Sequence, residues 1–128
     1  MTRVNVIQPE ELNNKMLVAE AHEITRVFGL ARKTQFDIMK GKRKVPSEYV
    51  LGTNHVLFFY NKLKFIADRY ESLVLEMQRR GYKPNPIPRE ELLAGINPKL
   101  YNDYQPTAEA IAINRQRIQE RLSAKVKL

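Results

Sequence analysis

Apolar residues recur at helical spacing over three long stretches of this chain, and that recurrence limits the possible folds more than any other feature. Phe59, Leu63, Ile66, Tyr70, Leu73 and Met77 form one such stripe, in the i, i+3, i+4 pattern of a helix with one buried face. It predicts a helix over roughly residues 54–80, stopped by Gly81. Leu17, Ala21, Ile24, Phe28 and Ala31 form a second stripe. It predicts a helix over roughly 13–39, with Gly41 as its stop signal. A third helix is predicted from an N-cap at Thr107 to about Lys125, with Ile111, Ile118 and Leu122 facing the core. Strand signals are weak throughout. With 128 residues, 43% of them apolar, the chain is expected to be all-α: a single compact three-helix domain over residues 1–128, with long loops.

Two connectors separate the helices. One, Gly41 to Gly52, carries the basic run GKRK. The other, Tyr82 to Pro106, contains Pro84, Pro86 and Pro88, which favour an extended, stiff path. So long a connector predicts a short helical turn in REELL, residues 89–93.

Some chemistries are excluded early. The chain has no cysteine, so it has no disulfide, thiol nucleophile or thiolate metal site. Its two histidines, His22 and His55, are too far apart for a short metal motif. His55, near the start of the second predicted helix, reads as a capping or structural residue. No metal or cofactor is expected. No apolar run approaches the ~18 residues of a membrane span, and no signal peptide is visible. The expectation is a soluble intracellular protein.

The formal net charge is +8, and it is unevenly spread. Residues 1–44 carry nine Lys/Arg against five Asp/Glu, residues 45–106 eight against seven, and residues 107–128 five against two. If the two ends of the chain meet in space, they make one basic face, and nucleic acid is the first partner to consider. On a single helix over 13–39, Lys15, His22, Arg26 and Lys33 share a narrow sector away from the apolar stripe. Glu23 sits at the edge of that basic stripe. It either pairs with Arg26 at i, i+3 or stands near the sugar of a bound nucleotide, where a carboxylate would stabilise positive charge or take a proton. Arg117 and Arg121 share a face at i, i+4, a spacing suited to phosphates, whereas Arg115 points elsewhere. Lys42, Arg43 and Lys44 read either as phosphate contacts or as a solubilising turn. Phe58, Phe59, Tyr60 and Tyr70 read as core rather than as base-stacking platforms.

Thr2 raises a separate question. Removal of Met1 would leave an α-amine there, with a pKa of about 7.7–8.0 against about 10.4 for a lysine. Such an amine is a better Schiff-base nucleophile than an unassisted lysine. A residue this close to the terminus is equally at home in a frayed end.

Several segments together resemble a known family: MTRVN at the start, LVAEAHEITRVFGLARK over 17–33, GKR over 41–43, LGTNHVLFFYNKLKF over 51–65, RGYK over 80–83, YNDYQP over 101–106 and RQRIQER over 115–121. The chain is similar to the phage-type pyrimidine-dimer DNA glycosylases with abasic-site lyase activity, often called endonuclease V. The resemblance implies an N-terminal segment packed among the helices. It implies that the Thr2 amine attacks the sugar C1′ and displaces the damaged base. Glu23 falls on the family's catalytic glutamate and Arg26 on an active-site arginine. Arg3, Arg117 and Arg121 match basic positions that engage DNA. His22, Lys33, Lys42, Arg43 and Lys44 complete the expected DNA-binding set. The implied partner is damaged double-stranded DNA, bound by a monomer, in a phage-infected or bacterial cell. Three differences stand out. His22 replaces an arginine, Lys15-Met16 replaces a Gln-His pair, and the sequence ends in SAKVKL where the family has an aromatic-rich tail. They predict faster cutting at abasic sites than at dimers. The alternatives are a lyase with little dimer activity and a non-catalytic DNA-binding relative.

Overall fold

The computed structural model describes residues 3–126, with side chains to residue 123. It is all-α, with no strand among the described residues. Five α-helices follow in order: α1 (Asn14–Glu23), α2 (Arg26–Met39), α3 (Leu63–Arg79), α4 (Arg89–Leu93) and α5 (Ala108–Val126). Short 3-10 turns lie at Pro9–Glu11, Leu57–Phe59 and Pro98–Leu100.

The first predicted helix is in fact two. Asn13 caps α1, its side-chain oxygen accepting from Met16 N–H at 2.8 Å. The ladder then breaks at Ile24 and Thr25, although both keep right-handed helical dihedrals. The Thr25 hydroxyl donates to the His22 carbonyl at 3.0 Å, and the Val27 N–H reaches back only three residues, to Ile24. A hydroxyl bonded into the preceding turn bends a helix in this way. The break falls directly after Glu23, so the basic stripe expected on one continuous helix is divided between two.

The second predicted helix is shortened. Only Leu63–Arg79 is α-helical, and residues 54–62 form turns around Leu57–Phe59. Leu57, Phe58 and Phe59 are all buried, and one helix face cannot bury three consecutive side chains. The Lys62 ammonium donates to the Phe58 carbonyl at 2.9 Å, while the Lys62 N–H pairs with Phe59 instead. The predicted stops are present at both Gly41 (φ +77°) and Gly81 (φ +95°). Tyr82 N–H bonds to the Met77 carbonyl and Gly81 N–H to that of Gln78, which satisfies carbonyls left open at the end of α3.

The REELL turn is α4, as expected. The connector around it is tied down by Arg32, which donates to the carbonyls of Ala94 and Leu92 at 2.8 Å each, and by the Tyr70 hydroxyl, which accepts from Ile87 N–H. Thr107 caps α5 through the Ala110 N–H at 3.0 Å. Ile118 is buried there, and Ile111 and Leu122 are half-buried. The core joins Val4, Leu17, Ile24, Phe28, Phe58, Phe59, Leu63, Ile66 and Leu73, each at most 1% exposed. Burying a side chain of this size contributes roughly 1.5–3 kcal/mol. Val4 and its neighbours bring the N-terminal segment into that core.

Candidate active site

Residues 4–7 belong to no helix, so their backbone groups need side chains. Five are supplied from separate parts of the fold. Val4 N–H donates to His55 Nε2 at 2.9 Å, and the Tyr49 hydroxyl donates to the Val4 carbonyl at 3.4 Å. Asn5 N–H donates to Glu20 on α1 at 3.2 Å. Val6 N–H donates to Asn114 Oδ1 on α5 at 2.7 Å. Arg69 on α3 donates to the Ile7 carbonyl.

These side chains also hold one another. Arg69 Nε and Nη2 grip Glu20 at 2.9 and 3.0 Å, and Asn5 Nδ2 donates to the same carboxylate at 2.6 Å. Asn114 Nδ2 donates to Asn5 Oδ1 at 2.7 Å. Asn5, Glu20, Arg69 and Asn114 are all buried, and no described buried side-chain polar atom lacks a partner. A fully satisfied buried network is rigid, because any member that moves leaves another unpaired.

A cavity of about 130 Å³ opens beside this network. Arg3 and Asn5 line it from the N-terminal segment, Lys15, Met16, Ala19, Glu20 and Glu23 from α1, and Arg117, Ile118 and Arg121 from α5. The two basic ends of the chain do meet here. The cavity's two carboxylates differ in kind. Glu20 accepts four hydrogen bonds from Arg69 and Asn5, so it has no capacity left for a ligand. Glu23 has no hydrogen-bond or ion-pair partner among the described residues, and the Arg26 pairing admitted by the sequence is not made. Arg3, Arg117 and Arg121 form no ion pair among the described residues either. Burial, then the like charges of Arg117 and Arg121, draw the Arg3 guanidinium below its usual value. The negative charges of Tyr49 and Glu23 act the other way and only partly offset this.

The other expected site residues lie elsewhere. His22 lines a separate groove of about 460 Å³ with Tyr70, Val74, Tyr82 and the Pro84–Pro86 segment. Arg26, Lys33, Lys42, Arg43 and Lys44 are exposed and line no part of the Glu23 cavity. Arg115 does point away, pairing with Glu11 at 2.9 Å. Thr2 lies outside the described residues. His55 is structural, 4% exposed and bonded through both ring nitrogens. Sequence reasoning passed over Asn5, Glu20, Arg69 and Asn114. Asn114 falls between Ile111 and Ile118 on a core stripe, and Arg69 falls beside Ile66 and Leu73. A polar residue at a core position is the signal that would have found them.

A carboxylate and three arginines that are unpaired among the described residues, beside a segment fixed by buried hydrogen bonds, suit contact with a phosphate-bearing polymer. The family model described as pyrimidine dimer DNA glycosylase matches residues 1–88, and the chain belongs to that family. DNA is accordingly the substrate that the family implies, and base removal is the family's activity. The match covers the N-terminal segment and α1 to α3. Helix α5, with Asn114, Arg117 and Arg121, lies beyond it. No described helix is long and apolar enough to cross a membrane.

Proposed function

We propose that this glycosylase is also an abasic-site lyase, and that it acts at pyrimidine dimers through a Schiff base on the α-amine of Thr2. The observation that carries the reading is the fixed N-terminal segment. Arg3 lines the Glu23 cavity, and consecutive Cα atoms lie about 3.8 Å apart. An amine one residue before Arg3 is what this reading needs at that cavity. Ordering a chain end costs entropy of about 1–2 kcal/mol per residue, and here five side chains offset it.

In the proposed reaction the amine nitrogen bonds to C1′. The glycosidic bond breaks, and the base leaves with its electron pair and takes up a proton. Opening of the C1′–O4′ bond, with one amine proton passing to O4′, gives the protonated imine. Glu23, with no competing partner among the described residues, stabilises positive charge at C1′ and then takes a proton from C2′. The electrons of that C–H bond form C2′=C3′ and expel the 3′ phosphate. Arg3, Arg117 and Arg121 hold the flanking phosphates, with His22, Arg26, Lys33, Lys42, Arg43 and Lys44 as outlying contacts.

The test is borohydride reduction during single-turnover reaction with abasic-site and dimer-containing duplexes, followed by peptide mapping. A reduced adduct on residue 2 with both duplexes is expected. An adduct on a lysine overturns the mechanism. Trapping with the abasic duplex alone gives a lyase with little dimer activity, and binding without trapping gives the non-catalytic alternative.

A further inference from the structure

His55 is the side chain that holds the N-terminal segment nearest the proposed nucleophile. Its Nε2 accepts from Val4 N–H at 2.9 Å, so its proton is on Nδ1, which donates to the Val50 carbonyl at 2.8 Å. The ring is further boxed edge-on by Tyr49 and Phe59, with centroids at 5.4 and 5.8 Å. One neutral tautomer in one orientation satisfies all of these contacts. The Tyr49 hydroxyl holds the Val4 carbonyl at 3.4 Å, and the remaining supports act farther along, at Asn5, Val6 and Ile7.

We infer that His55 is a positioning residue for the attacking amine, its neutral imidazole fixing the backbone two residues away so that the amine meets C1′ in front of Glu23. This rests on the Schiff-base reading above. Protonation of His55 would set an Nε2–H against the Val4 N–H, two donors face to face, and release the segment. The charged groups facing the ring are Arg3 on the N-terminal segment and Glu20 on α1, and Tyr49 is the other titratable neighbour. Glu20 is already engaged by Arg69. Burial is the main influence, and it holds His55 below the usual histidine value. The neutral form therefore persists at neutral pH.

The experiment compares wild type, His55→Gln and His55→Leu in single-turnover borohydride trapping on an abasic-site duplex between pH 5 and 8. Folding is followed by circular dichroism and DNA affinity by titration. A glutamine carbonyl can accept the Val4 N–H, and leucine cannot. His55→Leu is expected to bind DNA normally but to trap at least tenfold more slowly, with His55→Gln between it and wild type. The wild-type rate is expected to fall more steeply in acid than that of His55→Gln, by one proton. A folded His55→Leu that traps at the wild-type rate overturns the inference, as does an acid limb shared by wild type and His55→Gln. If His55→Leu does not fold, the acid limbs decide. An adduct mapping away from residue 2 in wild type overturns the Schiff-base reading itself. Equal rates with the adduct on residue 2 overturn only the role of His55.

Discussion

Two regions of this molecule use the same charged residues in opposite ways. Along α3 and the connector after it, cations are matched. Arg79 and Arg80 both bind Glu76, Arg89 binds Asp68 and Glu71, and Lys64 binds Asp68. Around the cavity between α1, α5 and the N-terminal segment, Arg3, Arg117 and Arg121 pair with no acid, and Glu23 with no cation, among the described residues. Ion pairs in the first region close its surface, each contributing about 0–1 kcal/mol when exposed. In the second region the donors stay open, available to phosphates from outside. The difference separates charge that holds the fold from charge left open for the DNA contacts proposed above, and each part of it is open to test.

The largest effect should come from the open carboxylate. Glu23→Gln removes the proposed general base while keeping the side chain's shape. Strand cleavage is expected to fall by about 10²–10⁴-fold. DNA binding should hold or tighten slightly, because a charge that repels phosphate is gone. Single-turnover cleavage and a binding titration read the two separately. Near-normal cleavage would make Glu23 a surface acid and erase the distinction between the two regions.

Next comes the buried pair beneath the cavity. Glu20→Gln leaves the Arg69 guanidinium, 7% exposed, without its counter-charge. Breaking a buried pair by removing one partner costs about 3–5 kcal/mol, and urea unfolding should show a loss of that order. Arg89→Ala, in the matched region, should cost about 1 kcal/mol or less. Equal losses would mean that burial does not separate the two kinds of pair.

That network also marks where the sequence stopped being legible. The helix-forming stretches, both glycine stops, the Thr107 cap and the REELL turn were readable, because each depends on residues within a turn or two of one another. The break at Thr25 was not, since the same apolar stripe runs through α1 and α2 and only the hydroxyl's bond to His22 divides them. At the site, Glu23, Arg3, Arg117 and Arg121 were found through charge pattern and family resemblance. Asn5, Glu20, Arg69 and Asn114 were missed because each is polar for the sake of a partner between 15 and 109 residues away. Pairing at that distance leaves no periodic trace.

Salt dependence measures the open charges directly. Each phosphate contact on duplex DNA adds about −0.9 to the slope of log affinity against log salt. Arg117→Ala and Arg121→Ala should each flatten the slope by roughly one unit. Arg89→Ala should leave it unchanged, because that guanidinium is already engaged. A slope that responds to Arg89 but not to Arg117 would reverse the assignment of the two regions.

The smallest effect should appear as a difference in pH window. In the cavity region, burial holds His55 below its ordinary 6.5. Just below that value the unfolded chain binds more protons than the folded one, so stability rises with pH. The contribution of neutral His55 is therefore present above about pH 6.5 and is lost as pH falls. In the matched region, hydrogen bonds from Arg79 and then Arg80 hold Glu76 at about 2, against an ordinary 4.5. Its contribution is present above that ordinary value and is lost as pH falls through about 2. Acid should therefore loosen the N-terminal segment first and the end of α3 later. Hydrogen exchange resolves the order. The amide of Val4, bonded to His55, should lose protection in mild acid while the amides of Arg80 and Gly81 keep theirs. His55→Gln should delay the first loss, and Glu76→Gln should remove the acid sensitivity of the second. Simultaneous loss at both places would show that the two regions open as one unit, and that matched and open charge do not divide the molecule mechanically.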